Sequence, residues 1–99
     1  MPRRIRKGGD IYDVLYWLVL TNENGAASLG EVAPFKFQSL VRRALVTLVR
    51  LGLVDHAPVT GLYQATAWGS YELLALEYPF LKIPHPGPQP TAERYASPL

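Results

Sequence analysis

The sequence predicts a single small α+β domain. Its 99 residues are 48% hydrophobic and 18% charged, which is the composition of one globular domain. Apolar residues recur at helical spacing in separate stretches, and the two short runs on either side of residues 58–61 have the length and turn residues of a β-hairpin. The predicted order is helix, stub strand, helix, helix, two-stranded hairpin and helix.

The first helix is predicted to start at Asp10, as N-cap, and to end at about Asn22. One stripe at helical spacing consists of Ile11, Val14, Leu15, Leu18 and Val19. Nine of the ten positions from 11 to 20 are apolar or aromatic, with Asp13 as the exception. A helix that is apolar on all sides is enclosed by neighbours, and a body of about 70 residues can hardly enclose it alone.

A turn at residues 22–25 and a stub of strand at Ala26 and Ala27 follow the first helix. Ser28 is the predicted N-cap of a short second helix, which runs through Leu29, Val32 and Ala33 until Pro34 ends it. The third predicted helix begins after a turn, three residues beyond this proline.

The third helix is predicted over residues 37–51 and is closed by Gly52, in the C′ glycine pattern. Its core face consists of Val41, Ala44, Leu45 and Leu48. The other face carries Gln38, Ser39, Arg42, Arg43, Val46 and Arg50. The positive charge of this helix is therefore gathered on one side.

The predicted hairpin consists of strands at residues 54–57 and 62–66, after which Thr66 caps a last helix over residues 67–78. The folded body thus spans residues 10–78. Residues 1–9 are predicted to be a flexible basic arm. Residues 79–99 hold six of the nine prolines, which predicts a proline-rich tail that is largely disordered.

Two segments of the body carry a family resemblance. Residues 39–54, SLVRRALVTLVRLGLV, resemble the recognition helix and exit strand of winged helix-turn-helix DNA-binding domains, in which a leucine four positions before Gly-Leu-Val is typical. Residues 63–69, YQATAWG, resemble the segment that closes the wing in MarR-like and PadR-like transcriptional regulators. The resemblance covers roughly residues 10–78 and implies an α+β winged helix-turn-helix fold.

The resemblance also implies that the third helix lies in the major groove of double-stranded DNA. Arg42 and Arg43 can then bind guanine, and Gln38 can bind adenine. Ser39 and Arg50 are expected on phosphates. Lys36 adds charge near the helix start, where backbone N–H groups favour phosphate.

The basic arm and the first and last helices of the body suggest further contacts. The arm is either an inert terminus or a tether on DNA phosphates, formed by Arg3, Arg4, Arg6 and Lys7. The aromatic residues of the first and last helices are either core or, as we expect for the tyrosines, a homodimer contact. The expected dimer residues are Tyr12, Tyr16, Tyr71, Leu74 and Tyr78.

A second class of function stays open, because the hairpin has no lysine or arginine between residues 55 and 64 and valines lie on or beside the exposed side of the third helix. These features favour a winged-helix protein-interaction module of a ribosomal, transcription or degradation complex, without direct DNA contact. An RNA-binding variant is a third possibility, since an arginine face does not distinguish the two nucleic acids.

Catalysis finds little support in the sequence. Only two histidines occur, His56 in the hairpin and His85 in the tail, so that their spacing predicts no metal triad or proton-transfer pair. We therefore expect no enzyme, no cofactor and no small-molecule substrate. The longest apolar stretch, at residues 14–20, is short of the roughly 20 residues that a membrane span needs, and no cysteine occurs. We expect a cytoplasmic protein, and its seven arginines against three lysines are compatible with a thermophilic source.

Overall fold

The computed structural model describes residues 5–87, which form an α+β domain of three α-helices and a three-stranded antiparallel sheet. The first helix continues without a break into a π-helical segment. The elements are α1 (Asp10–Tyr16), the π-helical segment (Trp17–Thr21), β1 (Ala26–Ala27), α2 (Gln38–Arg50), β2 (Val54–His56), β3 (Tyr63–Ala65) and α3 (Ala67–Glu77). The third and last predicted helices correspond to α2 and α3.

The sheet has the strand order β1-β3-β2, so that the predicted hairpin β2–β3 is joined by the stub β1 on its other edge. Ala27 is opposite Tyr63, and Val54 is opposite Ala65. The hairpin and the stub strand are therefore confirmed, although each hairpin strand is shorter than predicted. This α+β order is compatible with a winged helix.

The C-terminus of α2 is closed as the sequence predicts. Gly52 has a φ of 79°, in the left-handed region that favours glycine. Its N–H donates to the carbonyl oxygen of Val49 at 3.0 Å, and the N–H of Leu53 donates to the carbonyl oxygen of Leu48 at 3.0 Å. This pair of bonds is a Schellman motif, which ends the helix and sends the chain into β2.

Thr66 joins the end of the hairpin to the end of α2 and is the predicted cap of α3. Its hydroxyl oxygen accepts a hydrogen bond from the N–H of Gly69 at 3.1 Å and donates one to the carbonyl oxygen of Gly52 at 2.7 Å. The N–H of Thr66 donates to the carbonyl oxygen of Leu53 at 3.0 Å. The start of α3 is thereby fixed against the turn after α2.

The core lies between α1, α2, α3 and the sheet. The predicted core face of α2 is confirmed, since its four residues are all at most 2% exposed. The largest of the fully buried side chains beside it are Val14, Leu15, Val32, Leu53, Val54 and Leu73. Burial of one side of α2 leaves its other side to solvent.

The predicted second helix is wrong, since the segment between β1 and α2 consists of turns. The carbonyl oxygen of Ser28 accepts from the N–H groups of Glu31 and Val32, which makes a single turn. Ala33 then has a positive φ of 44°, and Pro34 has no N–H to continue a helix. Val32 and Ala33 are nevertheless buried, so the turn is held by packing rather than by helical hydrogen bonds.

Two features of the N-terminal region also differ from expectation. Asp10 does not cap α1, because it is the first helical residue and Gly9 occupies the N-cap position without a side-chain hydrogen bond. Ile5, predicted to belong to a flexible arm, is 3% exposed and packs into the core. The chain is therefore anchored at residue 5, five residues before α1 begins.

Candidate nucleic-acid interface

One side of α2 is a solvent-exposed surface with three arginines, which we call the arginine face. All of its members are exposed. They are Gln38, Ser39, Arg42, Arg43, Val46 and Arg50. They share a side because α2 packs its apolar stripe against α1 and β2, and residues four apart lie on the same side of a helix.

The cations of the arginine face have no carboxylate partner in the part of the chain that the structure describes. Within residues 5–87, no carboxylate lies within ion-pair distance of Arg42, Arg43 or Arg50. The helix itself contains no acidic residue. The three guanidinium groups are therefore free to bind anions, each with donors in a fixed planar fork.

Lys36, which the sequence predicts to contact phosphate, forms ion pairs with two carboxylates of α1. Its ammonium is 2.7 Å from Oδ1 of Asp10 and 3.0 Å from Oδ2 of Asp13, and its side chain is only 16% exposed. The hydrogen bond to Asp10, and then the one to Asp13, raises the pKa of Lys36 above its ordinary value. Lys36 thus ties the loop before α2 to α1, and we leave it out of the candidate interface.

Replacing Lys36 by methionine is expected to lower the free energy of unfolding at neutral pH, since Asp10 and Asp13 lose their shared partner. Because the pKa of Lys36 is higher in the folded state, its contribution is fully present below the ordinary value of about 10.4 and is lost as the pH rises through the folded-state value. The difference in the free energy of unfolding between wild type and variant should therefore become smaller in strong alkali. Denaturant titrations at pH 7 and above pH 10 can measure this. A difference that widens above pH 10 would contradict this role.

The basic arm is only partly within the described residues. Arg3 and Arg4 lie outside residues 5–87. Arg6 and Lys7 are exposed, and the ammonium of Lys7 is 3.9 Å from Oε2 of Glu77. Arg6 lines the same surface groove as Arg43, so the described part of the arm lies beside the arginine face.

The predicted dimer residues do not form one exposed set. Tyr12 is 9% exposed, and its hydroxyl donates a hydrogen bond to Oε2 of Glu77, so Tyr12 lies in the core, which is the other position that the sequence allowed for the aromatic residues of this helix. The pKa of Tyr12 is raised mainly by burial and to a smaller extent by this hydrogen bond. Tyr16 and Tyr78 are 38% and 49% exposed, and Leu74 is half-buried.

Tyr71, the remaining predicted dimer residue, is covered in part by the tail. Its ring packs edge-on against Trp68, with ring centroids 5.1 Å apart. Its hydroxyl lies 3.2 Å from Nε2 of His85, whose ring also contacts both aromatic rings. The first part of the proline-rich tail therefore returns to α3.

Two exposed phenylalanines beside the arginine face were not identified from the sequence. Phe35 is 67% exposed and Phe37 is 78% exposed, and they flank Lys36 immediately before α2. The spacing of two aromatic residues around a lysine at a helix start was the available signal. Large apolar side chains are generally expected to be buried, so the exposure of these two rings cannot be predicted before the path of the loop is known.

The hairpin turn adds no cation to this surface. Its residues 57–60 are exposed, with Val59 95% exposed, and no lysine or arginine occurs between residues 55 and 64. His56 stacks on Tyr63 with ring centroids 4.1 Å apart. A contact of this turn with phosphates would have to use neutral donors.

Two other functional features are absent from residues 5–87. Residues 5–87 hold no group of three or more histidine, aspartate or glutamate side chains placed to bind a metal ion. No helix in this part of the chain is long and apolar enough to cross a membrane. Comparisons of the chain with family models, curated proteins and solved structures find no match.

Proposed function

We propose that this protein is a small winged-helix regulator of transcription that binds double-stranded DNA through α2. The observation that carries the proposal is the arginine face, in which three guanidinium groups without a carboxylate partner among residues 5–87 lie along the exposed side of a helix. An α-helix of this kind has the width to enter the major groove, where each base pair presents a distinct pattern of donors and acceptors.

The residues of the arginine face are assigned two roles, contacts with base edges and contacts with phosphates that position the helix. Arg42 and Arg43 lie near the middle of α2 and can each donate two hydrogen bonds to O6 and N7 of guanine. Gln38, in the first turn, can pair with N6 and N7 of adenine. Ser39 and Arg50, with Arg6 and Lys7 of the arm, are assigned to phosphates, which fix the register of the helix.

Binding of this type depends strongly on salt, because each neutralised phosphate releases counterions from the duplex. If a dimer neutralises about six phosphates, the slope of log K against log salt is expected to be about −5. The titration of a labelled random-sequence duplex by fluorescence anisotropy, from 50 to 200 mM salt, measures this slope. A slope near zero, or no binding at the lowest salt, would contradict the proposal.

We further propose that the active form is a homodimer in which α1 and α3 of two chains meet through Tyr16, Leu74 and Tyr78. The partial exposure of these amphipathic and apolar side chains on neighbouring helices supports it. Light scattering is expected to give twice the chain mass of 11.0 kDa. If the measured mass at micromolar concentration is that of one chain, the homodimer proposal is contradicted. DNA binding by a monomer through the arginine face would remain possible.

The second candidate function is a winged-helix protein-interaction module that does not contact DNA. Phe35 and Phe37 favour it, because two largely exposed aromatic rings beside a helix start are typical of a surface that a protein partner covers. The duplex titration separates the two candidates. Salt-sensitive binding at micromolar concentration supports DNA recognition, and its absence leaves the interaction module as the function that the surface supports.

A further inference from the structure

An open groove of about 400 Å³ lies at the start of α2, and we call it the phenylalanine groove. Its lining residues are Pro34, Phe35, Lys36, Phe37 and Leu40. Phe35 is 67% exposed and Phe37 is 78% exposed, so that two flat apolar rings lie largely in water. Their hydration costs free energy that is recovered when a ligand covers them.

The fold itself makes little use of these rings. Phe37 occupies the N-cap position of α2, where a polar side chain normally accepts a hydrogen bond from the helix, and it forms no such bond. Neither ring is buried, so neither stabilises the core. The Phe35 ring centroid lies 5.9 Å from the ammonium of Lys36, which helps to fix the position of the ring.

The charge of the phenylalanine groove is already balanced. The ammonium of Lys36 is 2.7 Å from Oδ1 of Asp10 and 3.0 Å from Oδ2 of Asp13, and these carboxylates satisfy it. The groove therefore has little attraction for a phosphate or another anion. It suits the face of a flat, uncharged ring, because aromatic rings stack on one another.

Positive charge without a carboxylate partner begins directly beside this groove. Leu40 lines both the phenylalanine groove and the neighbouring groove that Arg43 lines. Residues three apart are neighbours on a helix surface, so Leu40 connects the two exposed rings to the arginine face. The complementary ligand must present flat, uncharged faces next to anionic groups. A DNA strand with unpaired nucleotides has both, in its base faces and its phosphates.

We propose that Phe35 and Phe37 stack on unpaired bases of DNA while α2 binds the adjoining paired segment through the arginine face. The inference rests on the proposed function, because it keeps α2 on the duplex and adds the preferred form of the DNA. An intact duplex hides its base faces in the stack, whereas a locally opened duplex exposes them. Stacking is tolerant of sequence, since every base has a flat π-face. The preferred ligand is therefore a duplex that contains a short opened segment.

The test compares a labelled duplex with the same duplex containing a short bubble of mismatched thymines, by fluorescence anisotropy. Wild type is expected to bind the bubble about tenfold more tightly than the intact duplex, as for one or two stacked bases. The double variant Phe35→Leu, Phe37→Leu keeps apolar bulk but lacks flat rings, and its two affinities should agree within about twofold. Replacement of both residues by tyrosine keeps the rings and should keep the preference.

The matched control is Phe80→Leu. Phe80 is a phenylalanine that is 96% exposed, but it follows α3 and does not line the phenylalanine groove. This variant is expected to bind both DNAs as wild type does. An equal loss of bubble preference in Phe80→Leu would overturn the assignment to Phe35 and Phe37.

Other outcomes would also overturn the inference. Wild type could bind the two DNAs equally, or the tyrosine variant could lose as much preference as the leucine variant. Tighter binding of a single-stranded RNA of the same sequence than of the bubble would assign the rings to RNA. Loss of the dimer mass in the leucine variant, with the bubble preference retained, would make a second copy of the chain the occupant.

The same titrations separate this inference from the proposed function. An intact duplex that binds with the expected salt dependence, without a gain from the bubble, contradicts the inference alone. A bubble that binds when the intact duplex does not contradicts duplex recognition and supports stacking by the two phenylalanines. Absence of binding to either DNA contradicts both.

Discussion

Replacement of both Arg42 and Arg43 by alanine is expected to abolish the sequence preference of duplex binding and to weaken the tightest site most. Each lost bidentate contact to guanine costs about 1 to 3 kcal/mol, so the double variant should lose roughly 2 to 6 kcal/mol for each half-site of a preferred site. The fold should survive, because both side chains are exposed and the core face of α2 is untouched. Selection of preferred sites from a random pool, followed by titration of both proteins, measures this loss.

A second variant distinguishes base reading from simple attraction to phosphate. Replacement of the same two residues by lysine keeps both charges but removes the planar fork that binds two acceptors of one base. This variant is expected to keep the salt dependence of wild type and to lose its site preference. If the alanine variant binds the preferred site as tightly as wild type does, Arg42 and Arg43 do not form the reading surface.

Replacement of Gly69 by alanine is the second large expected effect, and it acts on the fold. A Cβ at this position would lie 2.0 Å from the carbonyl oxygen of Leu53 and 3.4 Å from Cδ1 of Leu15. The Leu53 carbonyl cannot move away freely, because it accepts the hydrogen bond from the N–H of Thr66. Either the start of α3 or the turn after α2 must therefore shift.

The expected cost of Gly69→Ala is about 3 kcal/mol or more, at the upper end for overpacking, because the clash is with backbone. For a domain of this size that lowers the Tm by roughly 12 °C or more, which thermal unfolding followed by circular dichroism can measure. Gly30→Ala is the matched control, since its added Cβ would meet only the end of the Gln38 side chain at 3.9 Å. Equal Tm values for Gly69→Ala and wild type would contradict the packing of α3 against Leu53.

The elements that the sequence predicts correctly are those that local chemistry determines. Gly52 ends α2 because a left-handed residue is needed there, and Thr66 starts α3 because its hydroxyl can accept from an N–H three residues later. The two sides of α2 separate because its apolar residues recur with a period near 3.6. The placement of the arginines on the exposed side follows from the same pattern.

The features that the sequence does not predict depend on contacts between residues distant in the chain. Lys36 binds a carboxylate 26 residues away, and Tyr12 binds one 65 residues away, and no local pattern identifies these pairs. Ile5 enters the core although basic residues and glycines surround it. The segment around Val32 and Ala33 is buried as a turn, since burial of two side chains does not require the hydrogen bonds of a helix.

Contact between DNA and the arginine face can be measured directly by a chemical-shift map of the 15N-labelled protein. On addition of a short duplex in low salt, the largest amide shifts are expected from Gln38 to Arg50, with smaller shifts at Arg6 and Lys7 and none along α3. Shifts confined to α3 or to the hairpin turn, or no shifts at all, would contradict the claim.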